Sequence, residues 1–354
     1  MEKNIKKAVI AMSGGVDSSV AAFLMKDAGY ECIGANMRLH GGDEPLGKSC
    51  CSLEDVEDAR SVAIKLGMPF YVFNFTDKFE EEVISRFISA YEEGQTPNPC
   101  IHCNRYLKFE KLYQRMEELG MDYVVTGHYA RVVEENGRFL LKKAKDEHKD
   151  QSYVLYNLTK KQLEHVLFPL GEYHKEQVRD IAESKGFINA KKHDSQDICF
   201  VPDGDYASFI EEHTGKTYPE GDFVDTKGNV LGKHKGIIRY TIGQRKGLGI
   251  SADRPLYVCN IDPKENKVTL GDNEDLFATE LWADDINLIS LDSIPEPIRI
   301  KAKIRYNQKE QLATALQVGG KIKVTFDTPQ RAITKGQAVV LYDGDVVVGG
   351  GKII

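Results

Sequence analysis

Apolar residues along the first half of the chain follow two alternating periods. Short runs at Ala8–Met12, Glu31–Arg38, Phe70–Phe75 and Val124–Thr126 have the length and the β-branched or aromatic content of strands. Between them, Ser18–Ala28 (ended by Gly29), Leu53–Leu66 (ended by Gly67) and the longer Lys78–Glu93 carry apolar residues at helical spacing. This alternation predicts βαβ units, hence a parallel sheet flanked by helices. Such sheets bind ligands beyond the carboxyl ends of their strands, which puts Ser13–Ser19, Met37 and Gly127 on one rim. Two polar helical segments, Lys160–Leu167 and Lys175–Lys185, are predicted next, followed by the run Asp194–Phe200. From about Gly221 the helical period disappears, and short β-rich stretches separated by Asp-Gly, Lys-Gly and Asp-Pro turns take over. The expected order is an α/β domain over residues 1–205, a small β-rich central domain over 206–275 and a C-terminal β-barrel over 276–354.

A chain of 354 residues is long enough for two or three such cores. Its 41% hydrophobic and 29% charged content is that of a globular protein, with no long apolar span and no signal-like start. A cytoplasmic location with no membrane partner is the expectation. Seven cysteines, an odd number, then argue for reduced thiols used chemically rather than a disulfide framework. A net charge of −7 disfavours a generally sticky nucleic-acid binder but leaves local basic patches open.

The densest chemistry lies at Ser13–Ser19, Ser-Gly-Gly-Val-Asp-Ser-Ser, between a predicted strand and a predicted helix. Gly14 and Gly15 let the backbone approach an anion, and helix N-terminal amides with the hydroxyls of Ser13, Ser18 and Ser19 can donate to it. The string lacks the lysine of a Walker A loop, which serves transfer of the terminal phosphoryl group. It resembles instead the pyrophosphatase loop of ATP enzymes that adenylate an acceptor. Asp17 is the natural magnesium ligand there, because a hard cation wants carboxylate and phosphate oxygens.

Thr96–Asn104 reads Thr-Pro-Asn-Pro-Cys-Ile-His-Cys-Asn, and its two prolines predict a stiff loop without regular helix that presents Cys100 and Cys103. A Cys-x-x-Cys pair fits half a zinc site, a redox pair or a sulfur-handling pair; zinc would need two more ligands, for which Cys50 and Cys51 have the wrong spacing. Cys199 stands alone, with Asp194 and Asp197 nearby to disfavour its thiolate. Cys32 and Cys259 sit in β-rich runs and read as core residues.

Taken in order, Ala11–Ser18, Thr96–Asn104, Thr126–Arg131, Lys149–Tyr153, Asp194–Val201 and Tyr240–Gly249 resemble the tRNA-specific 2-thiouridylase family over essentially the whole chain. The resemblance implies a parallel-sheet pyrophosphatase domain of the adenine nucleotide alpha hydrolase type, a central domain and a β-barrel, and ATP-dependent thiolation of the wobble uridine of tRNA. It implies ATP contacts from Ala11, Met12, Ser13, Gly14, Gly15, Val16, Asp17, Ser18, Met37 and Gly127, with Mg2+. Asn98, Pro99 and Cys100 would face the target base, and His128, Lys149, Asp150 and Gln151 would touch tRNA, with Arg305, Tyr306 and Gln337 near the anticodon arm. Cys103 matches the family's nucleophile and Cys199 its persulfide carrier, which implies a persulfide donor protein, a Cys103–Cys199 disulfide and a reductant to reset it. One departure is Cys100, where well-known members carry an aspartate proposed as acid/base. A thiol there could exchange protons, resolve the disulfide, or join Cys103 and Cys199 around an iron-sulfur cluster.

Basic residues suit an RNA partner. Lys227–Ser251 holds Lys227, Lys233, Lys235, Arg239, Arg245 and Lys246 and no acid. Lys301, Lys303 and Arg305 alternate in strand period, so their charges should share one face and Tyr306 point to the other. Competing readings are another adenylating enzyme of this loop class, including amide-forming ligases, and a non-enzymatic RNA-binding or redox protein.

Overall fold

The structure, a computed structural model, describes residues 5–39, 53–192, 198–201 and 203–354. Cys50, Cys51, Asp194 and Asp197 lie outside the described residues. The chain forms two compact units, one made of residues 1–83, 100–202 and 345–347, the other of 84–99, 203–344 and 348–354.

The first unit is built on the predicted parallel sheet. Its strands lie in the order Phe70–Asn74, Glu31–Arg38, Lys7–Ala11, Tyr123–Val125, Val166–Leu167, all neighbours parallel. The central strand is buried from Ala8 to Ala11, which explains its unbroken apolar run. Helices Val16–Asp27, Leu53–Lys65 and Lys175–Ser184 contribute Val20, Ala21, Ala59, Val62, Val178 and Ala182 to one core with Ala8, Ile10 and Cys32. The predicted helix from Lys160 stops at Leu163, because Val166 and Leu167 extend beside Val124 and Val125 and complete the sheet edge. Tertiary pairing overrides a local pattern there.

The second unit carries the β-rich part. Helix Tyr206–Thr214 precedes a four-stranded sheet in the order Tyr257–Asp262, Lys267–Gly271, Gly221–Val224, Val230–His234. Six strands then close into a barrel: Phe277–Leu288, Lys321–Arg331, Gln311–Val318, Ile298–Lys303, Ala338–Asp343 and Val346–Ile353, the last returning to pair with the first. Inward positions recur with period two, so Ile300 and Ala302, Ala313 and Ala315, Ile322 and Val324 fill the interior. Helix Ser85–Glu92 also belongs to this unit, where Tyr91 stacks on Tyr206 with ring centroids 4.5 Å apart.

Among the described residues no helix is long and apolar enough to cross a membrane.

Candidate active site

The strand Lys7–Ala11 runs into the loop at Met12–Gly15, and helix Val16–Asp27 begins at once. Gly14 adopts φ +81°, and a Cβ on it would lie 2.3 Å from the Asp55 carbonyl oxygen, so only glycine fits this turn. Gly15 is the N-cap and offers no side-chain acceptor to the first-turn amides, the arrangement that suits an incoming anion. The hydroxyls are more constrained than the sequence implies. Ser18 and Ser19 both donate to the Gly15 carbonyl at 3.0 Å, and Ser18 Oγ accepts the Ser13 amide at 3.2 Å. They shape the loop, and Ser13 is the exposed one.

Distant segments hold this loop in place. Asn189, buried, donates through Nδ2 to the Gly14 carbonyl at 2.8 Å and to Ser19 Oγ at 2.9 Å. Asn36 likewise donates to the Met12 carbonyl at 2.8 Å. Each of these amides leaves a buried Oδ1 without a hydrogen-bond partner among the described residues. Lys192 bridges Asp55 and Asp58, both at 2.7 Å, and these contacts raise its pKa although burial opposes them. Gly127 completes the cradle: a Cβ there would lie 2.7 Å from the Ser18 amide nitrogen. Met37, at the end of its strand, is half-buried.

Asp17 is held differently from the sequence reading. Both of its carboxylate oxygens accept from Lys175 Nζ, at 2.7 and 2.8 Å, and Tyr129 Oη donates to Oδ1 at 2.9 Å. The Lys175 amide in turn donates to Asp146 at 3.0 Å. Burial alone would raise the Asp146 pKa, but the amides of Lys175, His148 and Lys149 outweigh it and hold the carboxylate low. Tyr129, Asp146, Lys175 and Asn189 are site residues that the sequence reading missed. Tyr129 lay inside a quoted motif, whereas nothing in the local pattern marks the others.

The segments expected to meet tRNA in this unit are turned largely inward. His128 is buried between Phe109 and Phe168, and its Nδ1 lies 2.6 Å from Thr126 Oγ1. Burial, aided by the Lys108 ammonium, pushes its pKa well below the ordinary value, so the ring is neutral and cannot ion-pair with phosphate. Asp150 accepts the amides of Ala144 and Ser152, and Gln151 is bonded to the Tyr129 backbone through both its side chain and its own amide. These residues brace Tyr129, and through it Asp17. Lys149 is half-exposed beside them.

The thiols also depart from expectation. Pro99 opens a helix, Pro99–His102, which continues through wider, π-type turns over Cys103–Lys111. Proline at the first helical position loses no hydrogen bond, so the prolines start this helix rather than forbid it. Cys100 (exposed) and Cys103 (half-buried) are three residues apart and share a helical face. Asn104 anchors the helix by donating to the Val154 carbonyl at 2.9 Å. Cys199, half-buried, sits beside Phe200, which packs edge-on to Phe79 at 5.8 Å. No disulfide joins the five described cysteines, and the Cys103–Cys199 bond that the family resemblance implies is one that turnover would form and a reductant reset. Among the described residues no three His, Cys, Asp or Glu gather as a metal site, so Cys100, Cys103 and Cys199 do not form the cradle an iron-sulfur cluster requires. Burial raises the Cys32 thiol to about 11, and Cys259, half-buried rather than core, is raised equally, first by burial and then by Asp275.

In the second unit, the Thr96 backbone is bound on both sides: its amide donates to the Lys335 carbonyl at 2.9 Å, and its carbonyl accepts from Gln337 Nε2 at 2.7 Å. Gln337 therefore positions the segment that leads to Asn98 and Pro99. Arg305 turns inward to the Ala332 carbonyl at 2.7 Å and to Thr334. The strand ends at Lys303, so the alternation fails beyond it, and the Lys303 ammonium lies 5.6 Å from the centre of the Tyr306 ring rather than on the opposite face. In the basic run, Lys233 and Arg239 are paired at 2.6 Å with Asp222 and Glu211, acids from outside it. Lys227, Lys235, Arg245 and Lys246 are exposed.

A parallel sheet that feeds a glycine-serine loop into an uncapped helix N-terminus defines an α/β nucleotide-binding enzyme domain. Family models agree: one for a tRNA methyl transferase HUP domain matches residues 6–203, one for a tRNA methyl transferase PRC-barrel domain 207–272, and one for an aminomethyltransferase beta-barrel domain 278–353. The tRNA-specific 2-thiouridylase MnmA of Clostridioides difficile (strain 630) is 57% identical over 353 residues, spanning 98% of each chain. That of Acetivibrio thermocellus is 54% identical over 355 residues, spanning 98% of this chain and 99% of its own. This chain belongs to the tRNA-specific 2-thiouridylase family.

Proposed function

We propose that this protein is an ATP-dependent tRNA sulfurtransferase that replaces O2 of the wobble uridine with sulfur. The observation that carries the reading is an uncapped nucleotide loop in the same unit as two half-buried cysteines, Cys103 and Cys199. Uridine O2 attacks the α-phosphorus of ATP, pyrophosphate leaves toward the Gly14–Ser18 loop, and C2 becomes susceptible to sulfur. Asp17 is the carboxylate that would hold magnesium arriving with ATP, and the ion would supply positive charge to the phosphates. A persulfide donor protein loads Cys199 as Cys–S–SH. The Cys103 thiolate attacks the Cys199 sulfur, the bond to the terminal sulfur breaks, and hydrosulfide leaves as the Cys103–Cys199 disulfide forms. Hydrosulfide adds at C2, AMP departs with the original oxygen, and a dithiol reductant restores both thiols. Cys100, exposed on the same helical face as Cys103, serves this sequence as proton carrier or resolving thiol. Exposed Arg245 and Lys246 hold RNA phosphates, and Asn98 and Pro99 approach the splayed base.

The test is nucleoside mass spectrometry of wobble-unmodified tRNA incubated with the protein, ATP, magnesium and a persulfide donor. Oxygen-to-sulfur exchange that vanishes in Cys199→Ser, while ATP-dependent pyrophosphate release continues, supports the reading. Pyrophosphate release without thiolation in the wild type assigns a different acceptor chemistry, and no release at all leaves an RNA-binding protein.

A further inference from the structure

Lys175 has no task in the chemistry above, yet its ammonium lies against Asp17 of the nucleotide loop. Its side chain is buried at the start of helix Lys175–Ser184, and its ammonium takes both oxygens of Asp17, the acid in the first turn of the nucleotide-loop helix. The Tyr129 ring lies 5.9 Å from the same ammonium. Asp146 fixes the backbone from which the side chain swings.

We infer that Lys175 is a positioning residue of the nucleotide site, which holds Asp17 while the metal is absent and yields it to the metal that enters with ATP. This rests on the functional reading above. A magnesium ion takes carboxylate oxygen at about 2.0–2.1 Å. Ammonium and divalent cation cannot both hold the same oxygens at such separations without strong repulsion, so metal binding displaces Nζ. The flexible stem of lysine permits that movement with its backbone fixed. The displaced charge stays beside an N-terminus already suited to phosphates, so one residue keeps Asp17 ordered in the empty site and adds a cation to the filled one.

Two titrations test this on the full-length protein. Nucleotide-free Mn2+ binding, followed by electron paramagnetic resonance, should tighten about tenfold in Lys175→Met, a change of ~1.4 kcal/mol. ATP affinity in EDTA should fall about tenfold in the same variant, an equal change of opposite sense. Lys175→Arg keeps the charge and should stay near wild type in both. If Lys175→Met does not fold, Asp146→Asn loosens the same ammonium from its backbone anchor and should shift both titrations in the same directions. Unchanged affinities in the folded variant, with a wild type that binds ATP, overturn this inference alone. A wild type that does not bind ATP overturns the functional reading and this inference with it.

Discussion

Asn189→Ala removes the amide that clamps the nucleotide loop. The side chain is 3% exposed and donates two hydrogen bonds, to the Gly14 carbonyl and to Ser19 Oγ. Ser19 Oγ keeps its own bond to Gly15, but the Gly14 carbonyl loses this donor in the interior. Two neutral bonds at about 1 kcal/mol each give a cost of ~2 kcal/mol, and an orphaned buried acceptor can raise it toward ~3. Because Gly14 holds a left-handed turn at φ +81°, the released loop has other conformations to enter, and ATP must select the competent one again. The expected result is ATP binding weakened about 30-fold if the whole ~2 kcal/mol falls on the loop, with a melting transition lowered by about 4–8 °C. Isothermal titration and scanning calorimetry read the two quantities. Asn189→Leu, of similar size but unable to donate, should match Asn189→Ala in ATP affinity. ATP affinity within twofold of wild type together with an unchanged transition would refute the claim that this amide organises the loop.

Gly127→Ala places a methyl group against the Ser18 amide and Asp17 backbone, so ATP binding should be lost while the barrel's thermal transition is kept. His128 is buried neutral with its pKa pushed down, so the unfolded chain binds the extra proton. Its contribution is therefore intact above the unfolded value near 6.5 and is lost as pH falls below it, by up to ~1.4 kcal/mol per pH unit. His128→Gln should flatten the urea-measured stability between pH 7 and 5, although His234, also buried and shifted down, keeps part of the slope. Arg245→Ala and Lys246→Ala should each reduce the slope of log tRNA affinity against log salt by about 1, without changing ATP affinity; an unaltered slope removes them from the RNA path.

Local chemistry was readable from the residues; long-range pairing was not. Gly14, Gly15 and the serines act within a few positions, so their string named the turn and the helix start it produces. The parallel sheet followed from unbroken apolar strands between amphipathic helices, and the β-rich C-terminal part from short apolar stretches separated by glycine and proline turns. Lys175 and Asn189 escaped notice because their partners are 158 and 170 residues away, and a polar residue on a predicted helix or in the turn after it carries no mark of such a partner. Pro99 was misread because proline breaks a helix interior but starts a helix equally well, and only the following residues decide. The Lys303–Tyr306 face was misjudged because alternation holds only while the strand lasts.

Residues 345–347 belong to the first unit although their neighbours on both sides belong to the second. Val346 pairs with Lys142, the Lys143 amide donates to the Asp345 carbonyl, and the Asp345 side chain takes Arg131 at 2.8 Å. During synthesis at about 5–20 residues per second, these contacts must wait while roughly two hundred further residues emerge, a delay of tens of seconds. The nucleotide half is thus finished last by a piece of chain that the barrel half delivers. A chain that stops short of residue 345 therefore lacks the partners of Arg131, Lys142 and Lys143 at this edge of the nucleotide unit.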